Sequence, residues 1–195
     1  MESWGDMMRR LDLKVTSPDK RIRGRVHQGM ADIKFIDNAY REYTEAAMGS
    51  QIAALCQLLW VGYRKADVLA TTQTAGAAAA EEMRHPAGFA DRELFAARRA
   101  MEMGATSDSG RLAISCVGFQ NWRFTIQRGT FDALSENEFR ADFRSVVRPL
   151  MDDYHEKLDA LLDAHRRRFD PEGYQSIKDR ERFEKRQEAA ARPHT

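Results

Sequence analysis

Two motifs in the sequence pair an acidic residue with a histidine at a spacing that a metal site on helices would use. The motifs are Glu82 with His85 and Asp152 with His155. Residues three positions apart lie on one face of a helix, and carboxylate-bridged di-metal bundles take such a pair from each of two helices. A chain with 30 acidic residues and 5 histidines also produces such matches by chance, and His85 stands directly before a proline, where helices usually end. We therefore expect no metal and no cofactor.

The sequence offers no arrangement for nucleophilic catalysis. It contains no legible Ser-His-Asp triad, no nucleophile elbow and no cysteine in an activating environment. Cys56 and Cys116 both lie inside apolar runs, which predicts buried thiols in a reducing compartment rather than a disulfide or a metal pair. We expect a protein that is not an enzyme and has no catalytic residues.

Basic and acidic residues nearly balance, 31 against 30, for a net charge of +1. Such a surface gives no general attraction to nucleic acid or to anionic lipid. The basic run from Lys14 to His27 lacks interleaved aromatic residues, so we interpret it as a solvated linker and expect no specific nucleic-acid binding. Arg123 interrupts an apolar segment. A buried arginine needs a carboxylate or carbonyl partner, which predicts a structural ion pair or a ligand clamp.

The segment expected to position these groups is Arg111 to Arg128, RLAISCVGFQNWRFTIQR. Its apolar residues fall on nearly every side of a helical wheel, as in a helix enclosed by others. Ser107-Asp108 can cap the start of such a helix, and Gly129 can end it. A strand is the alternative, because three apolar residues alternate with polar ones at period two. They are Trp122, Phe124 and Ile126.

The rest of the chain also has helical patterns. Caps and breakers divide it into about seven segments, of which the longest runs from Ser50 to Arg84. Gly49 and Pro149 are interpreted as breaks between helices, and Ser135 with Glu138 as a capping box. No internal repeat is evident. The predicted fold class is all-α, an irregular bundle of about seven helices around the central apolar helix.

Composition divides the chain into three parts. Residues 1-28 are expected to form an amphipathic helix and a basic linker, residues 29-170 a helical domain, and residues 171-195 a charged C-terminal helix and tail.

The N-terminal segment carries an apolar stripe at helical spacing, and Ser3 with Asp6 can cap its helix. The stripe consists of Trp4, Met7, Met8 and Leu11. Soft and aromatic side chains of this kind are typical of adaptable interfaces, so these four are our candidate interaction residues. The alternative is that the stripe packs on the protein's own core.

One uncharged run, Ala46 to Tyr63, approaches the length of a short membrane span. Ser50, Gln51 and Gln57 interrupt it, and polar amides are costly inside a bilayer, so we favour a buried helix. The acidic start of the chain does not resemble an export signal. We expect a cytoplasmic protein, with inner-membrane association through residues 46-63 as the alternative.

Three stretches resemble a group of uncharacterised bacterial helical proteins. They are QIAALCQLLWVGYRKAD, FQNWRFTIQRGTFDALSENEF and RRRFDPEGYQSI. The resemblance implies an all-α fold, often with an N-terminal membrane helix, and brings no activity with it.

These observations favour a non-enzymatic helical module that acts in interaction or regulation through protein-protein contacts. We expect a protein partner or self-association. The alternatives are a membrane-tethered helical protein anchored by residues 46-63 and a di-metal or ligand-binding helical bundle.

Overall fold

The computed structural model describes residues 2–86 and 88–176, and it contains antiparallel sheets as well as helices. The predicted all-α fold is therefore wrong, and so is the all-α fold that the resemblance implied. Two three-stranded sheets, each with strands in sequential order, lie among the helices. The architecture is mixed helix and sheet.

The first half of the chain forms one helix, one sheet and one long helix. Its elements are α1 (Trp4–Arg9), β1 (Asp12–Thr16), β2 (Ile22–His27), β3 (Met30–Phe35), a 3₁₀ turn (Ala39–Glu42) and α2 (Glu45–Ala75). The second half contains two short helices, a second sheet and a second long helix. These elements are α3 (Ala77–Arg84), α4 (Phe89–Ala100), β4 (Glu102–Thr106), β5 (Leu112–Val117), β6 (Gln120–Ile126), α5 (Thr130–Ala133) and α6 (Glu136–Phe169).

The two halves are copies of one structural unit, so the expectation that no repeat exists is wrong. Each copy has a helix, a three-stranded meander, a short helical turn and a long helix. The short turn follows a residue with left-handed backbone in both copies, Asn38 and Gly129. A hydroxyl then caps the long helix, from Thr44 in the first copy and Ser135 in the second. Helix α3 connects the copies.

The turn after the first strand of each copy has the same hydrogen bonds. The Ser17 amide donates to the Ile22 carbonyl at 2.8 Å, and the Ile22 amide donates to the Ser17 hydroxyl at 2.9 Å. Ser107 and Leu112 make the same two bonds at 2.8 and 3.1 Å. Both serines are buried. A buried hydroxyl must keep its partners, and the shared turn sets the register of each meander.

The strands of the two sheets correspond position by position. Gly24 pairs with Ile33 in the first sheet, and Ile114 pairs with Phe124 in the second. A β-bulge in β6 sets two residues, Asn121 and Trp122, against Cys116 alone. Equivalent residues are therefore 90 positions apart up to Gln120 and 91 positions apart from Arg123 onward.

Each long helix packs on its own sheet and on the edge strand of the other copy. Helix α2 contacts β1, β2 and β6, whereas α6 contacts β4, β5 and β3. This reciprocal packing places one core between the copies. Its fully buried members come from both halves and include Ile22, Ile33, Ile52, Leu112, Phe139 and Phe143.

The predicted central helix, Arg111 to Arg128, is the β5–β6 hairpin. The alternative reading was the right one: Leu112, Ile114 and Cys116 point inward on β5, as Phe124 and Ile126 do on β6. Ser107-Asp108 lies in the turn before β5 rather than at a helix start. Gly129 precedes α5 instead of ending a helix.

Other boundaries also differ from the predictions. The presumed linker, Lys14 to His27, forms most of a β-hairpin. Helix α2 runs through Gly49, and α6 runs through Pro149. Burial of one side of each helix outweighs these local breakers. Residue 28, where we placed a boundary, lies in the turn between β2 and β3, which pair within one sheet.

Several predictions are confirmed. The capping boxes Ser3 with Asp6 and Ser135 with Glu138 are both formed. Among the described residues, no helix is long and apolar enough to cross a membrane. The predicted charged C-terminal helix lies outside the described residues from position 177 onward.

Candidate binding surface on α2 and β6

The outward faces of the two long helices differ although they occupy equivalent places. Leu58, Val61 and Leu69 of α2 are exposed by 42%, 42% and 56%. We call these three residues the α2 stripe. Counting from the capping residues Thr44 and Ser135, the equivalent positions on α6 are Pro149, Asp152 and Ala160, all exposed.

The face of α6 is what a solvated helix is expected to present. Between Asp152 and Ala160 lies Glu156, whereas the matching position of α2 is Lys65. Scattered apolar residues on a surface need no explanation, but leucines and valine aligned on one helix face are typical of an interaction surface. The second copy is an internal control, because the same positions there carry two acidic residues, a proline and an alanine, and no large apolar side chain.

The copies also differ where each long helix meets the edge strand of the other copy. At the contact of α6 with β3, Asp32 forms ion pairs with two arginines of α6. Arg140 Nη2 lies 2.8 Å from Asp32 Oδ2, and Arg144 Nη1 lies 3.1 Å from Asp32 Oδ1. Arg140 Nε also donates to the carbonyl of Ile33 at 2.6 Å. This contact is closed by charge-assisted hydrogen bonds.

At the equivalent contact of α2 with β6, the strand charge is reversed and the helix charges are missing. Arg123 occupies the position of Asp32, since Asp32 pairs across its sheet with Arg25 and Arg123 pairs with Ser115. Gly49 and Ala53 occupy the helix positions of Arg140 and Arg144. The Arg123 side chain makes no ion pair or hydrogen bond with any residue that the structure describes. The expected burial of Arg123 is wrong, because it is exposed.

Two open depressions flank Arg123. One, of about 540 Å³, lies between α2 and β6 and is lined by Ala46, Gly49, Ser50, Ala53, Ala54, Gln57, Asn121, Trp122, Arg123 and Phe124. We call it the Arg123 groove. The other, of about 580 Å³, lies over the second sheet, where Arg123 is joined by polar and charged residues that include Glu102, Ser115, Asn121 and Lys157. Lys157 is already bonded to Asp153 Oδ2 at 2.9 Å. Arg123 borders both depressions, and Glu102 lines one of them without forming an ion pair with Arg123.

An aromatic cluster lies below this surface and holds the tip of the β5–β6 hairpin. The Phe119 ring stacks on Trp60 of α2 with centroids 3.9 Å apart and meets Tyr154 of α6 edge-on at 4.7 Å. Phe119 is buried although its backbone is left-handed, at φ +58°. The equivalent position in the first copy is Gly29, which has nothing within 4 Å of an added Cβ. The strain at Phe119 is offset by its packing.

The two cysteines are free and buried, as predicted. Burial raises the pKa of the Cys56 thiol to about 12 and that of Cys116 to about 11. Neither is therefore a ready nucleophile.

The structure does not bring the acid-x-x-His candidates into a recognisable centre. His85 is the exposed residue after α3, and its Nε2 lies 3.9 Å from Glu81. Glu82 is exposed on α3, and Asp152 and His155 are exposed on α6. Within residues 2–86 and 88–176, no group of three or more metal-binding side chains could hold an ion.

The N-terminal stripe packs beside α2 without entering the core. Trp4 Nε1 donates to Oδ1 of the buried Asp67 at 3.1 Å, and Arg64 Nη1 donates to its other oxygen at 2.8 Å. Trp4 remains 43% exposed, while Met7, Met8 and Leu11 are half-buried. The interaction role of these four residues stays a prediction.

Sequence reasoning found Arg123 but missed what surrounds it. The α2 stripe was not separated from the buried side of α2, because apolar residues occur on several sides of that helix. Comparison with protein-family models, with curated proteins and with solved structures finds no match to this chain.

Proposed function

We propose that this protein is a non-enzymatic binding module that acts through protein-protein contacts made by α2. The observation that carries the proposal is the contrast between the α2 stripe and the equivalent positions of α6, which carry no large apolar side chain. The scaffold behind α2 is rigid, since the buried side of the helix packs on strands of both sheets. A surface on such an element is pre-organised, and little conformational entropy is lost on binding.

The stripe suits a partner with an apolar surface and an acidic group near its centre. Leu58, Val61 and Leu69 supply the apolar contacts, and the exposed Lys65 lies among them. Helical recognition surfaces of this type present anchors one to two turns apart. A different protein or a second copy of this chain could provide the complementary face, and both belong to the proposed function.

Site-specific photo-crosslinking in the native cell tests the proposal. A photoreactive amino acid at position 61 or 69 should give a discrete adduct, whose mass distinguishes a different protein from a second copy. The matched controls are positions 152 and 160, which have the same place on α6. Leu69→Glu should abolish the adduct formed from position 61, since it places a charge within the apolar contact.

Equal adducts from the α2 and α6 positions, or none from either helix, would contradict the proposal. An adduct from position 61 that survives Leu69→Glu would also count against it, because the stripe would then not act as one surface.

A further inference from the structure

We propose that the Arg123 groove binds an acidic side chain on an extended segment of a partner protein. This inference rests on the proposed function, because it assumes that the chain works through protein-protein contacts. It assigns a specific chemistry to a second part of the same helix, the part that faces β6.

The first step is the comparison of the two helix-strand contacts. In the first, one aspartate is held by two arginines of α6. In the second, the arginine comes from the strand, and α2 offers Gly49 and Ala53 where α6 has its arginines. An arginine–carboxylate pair therefore closes the first contact, and no described carboxylate forms an ion pair with Arg123, although Glu102 lines the depression over the second sheet.

The second step concerns space. Gly49 and Ala53 lack the long side chains that span the other contact. At Gly49 the helix backbone lies directly against the Phe124 carbonyl, and the groove of about 540 Å³ is open beside that close approach. Ser50, Gln57 and Asn121 add hydrogen-bonding groups to its lining. A carboxylate can accept two parallel hydrogen bonds from the guanidinium fork of Arg123.

The third step concerns the kind of ligand. Pockets for small molecules enclose most of the ligand surface, whereas this groove is open, and a second depression shares Asn121 and Arg123 with it. An extended segment matches that shape. The segment cannot simply add a strand to β6, because α2 already lies against that edge at Phe124. Recognition must therefore depend on side chains.

Nuclear magnetic resonance of the full chain tests the inference through the arginine Nε–Hε signals. The probe is the acetylated and amidated peptide Ala-Asp-Ala-Glu-Ala, and the control peptide carries Asn and Gln in place of Asp and Glu. We expect a saturable shift of the Arg123 signal with the acidic peptide alone. Succinate at the same carboxylate concentration tests whether the site takes a small-molecule ligand. It should bind at least about tenfold more weakly than the acidic peptide.

Two variants locate the site. Arg123→Gln should weaken binding of the acidic peptide by about tenfold or more, as loss of a charge-assisted pair does. Arg23→Gln is the matched control, because Arg23 is exposed on the outer face of the first sheet, and it should change the affinity less than about twofold. The double variant Arg123→Asp with Ala53→Arg rebuilds one of the two ion pairs of the first copy, that of Asp32 with Arg144, so it should remain folded and lose the peptide.

Absence of an Arg123 shift, binding that survives Arg123→Gln, or equal binding of the neutral peptide would overturn the inference. Succinate that binds as tightly as the peptide would also overturn it, in favour of a small carboxylate ligand. If the double variant fails to fold, Arg123→Gln decides the question alone. A chain that fails these tests but still forms adducts from positions 61 and 69 keeps the proposed function and loses only this site.

Discussion

Gly49 of α2 lies directly against the carbonyl oxygen of Phe124 on β6, where an added Cβ would stand 2.5 Å from that oxygen. The equivalent carbonyl in the first copy, that of Ile33, instead accepts a hydrogen bond from Arg140. Glycine thus allows a helix backbone to approach a strand edge that an arginine side chain spans in the other copy.

Gly49→Ala should lower the free energy of unfolding by about 1–3 kcal/mol, because a backbone oxygen cannot move aside as a side chain can. Gly62→Ala is the matched control. It lies in the same helix and gains the same helix propensity of about 1 kcal/mol, but its Cβ would meet the flexible Leu13 side chain. In urea denaturation, the free energy of unfolding of Gly49→Ala should be well below that of Gly62→Ala. The reverse order would refute the close packing of α2 on β6.

Asp142 should be a larger stability determinant than Gln51, its counterpart in α2. Buried Asp142 accepts hydrogen bonds from the hydroxyls of Ser107 at 2.9 Å and Ser109 at 2.5 Å, and from the Ser109 amide at 3.2 Å. Gln51 accepts a single bond, from the Asp19 amide at 3.3 Å.

Asp142→Ala should therefore cost about 1–3 kcal/mol, because it leaves the buried Ser107 hydroxyl without its carboxylate acceptor. Gln51→Ala should stay within about 0.5 kcal/mol of the unmodified protein. Thermal denaturation of the two variants measures both effects. Equal losses of stability would mean that the Ser17 turn depends on α2 as strongly as the Ser107 turn depends on α6.

At Phe119, the glycine variant should be more stable than the alanine variant, which is the reverse of the usual order. Phe119→Ala removes a buried ring and should cost about 3–5 kcal/mol. Phe119→Gly should cost about 1 kcal/mol less than Phe119→Ala, since glycine accepts the left-handed backbone at φ +58° without strain.

The control is Phe124, a buried residue within β6. There the glycine variant should be less stable than the alanine variant, because glycine is unfavourable in a strand interior. Denaturant midpoints for the four variants test the contrast, and the same order at both positions would argue against strain at the hairpin tip.

The cysteines should resist alkylation in the folded protein. At pH 8 a pKa of about 12 leaves roughly one Cys56 thiol in ten thousand ionised, and burial blocks access as well. Iodoacetamide labelling followed by mass spectrometry should show modification of the native protein only at the rate at which unfolding exposes the thiols. In denaturant, modification should be complete. Rapid labelling of native protein would show that Cys56 or Cys116 is accessible.

The sequence predicts the helical parts of this fold far better than its strands. The capping boxes at Ser3 and Ser135 are local features, so they could be recognised without the rest of the fold. The β5–β6 hairpin was missed because Ala113 and Val117 place half-buried small or apolar residues on the outer face of β5. They obscure the alternation that the inward residues of β5 follow.

The turn at the tip of this hairpin also lacks the usual sequence signal. Gly118 and Phe119 both have positive φ, a conformation in which Asn-Gly is the usual signal. Only packing of the ring explains why a phenylalanine occupies position 119. The repeat was missed for a related reason: it is carried by caps, turns and burial pattern, whereas most side chains differ between the copies.

The candidate site shows the same limit. Arg123 stood out in the sequence as a charge inside an apolar segment, but its accessibility depends on Gly49 and Ala53, which are distant in the chain. Their significance appears only when α2 is aligned with α6. No local pattern in either segment predicts that the Arg123 groove is open.

Joining two copies of a unit in one polypeptide has a genetic consequence. In a symmetric homodimer encoded by one short gene, every substitution occurs twice, so a contact cannot open on one side and stay locked on the other. Here each copy mutates alone. The ion pair of Asp32 with Arg140 can therefore be present at one contact while close packing at Gly49 holds the other, and loss of either arrangement is not compensated by its counterpart.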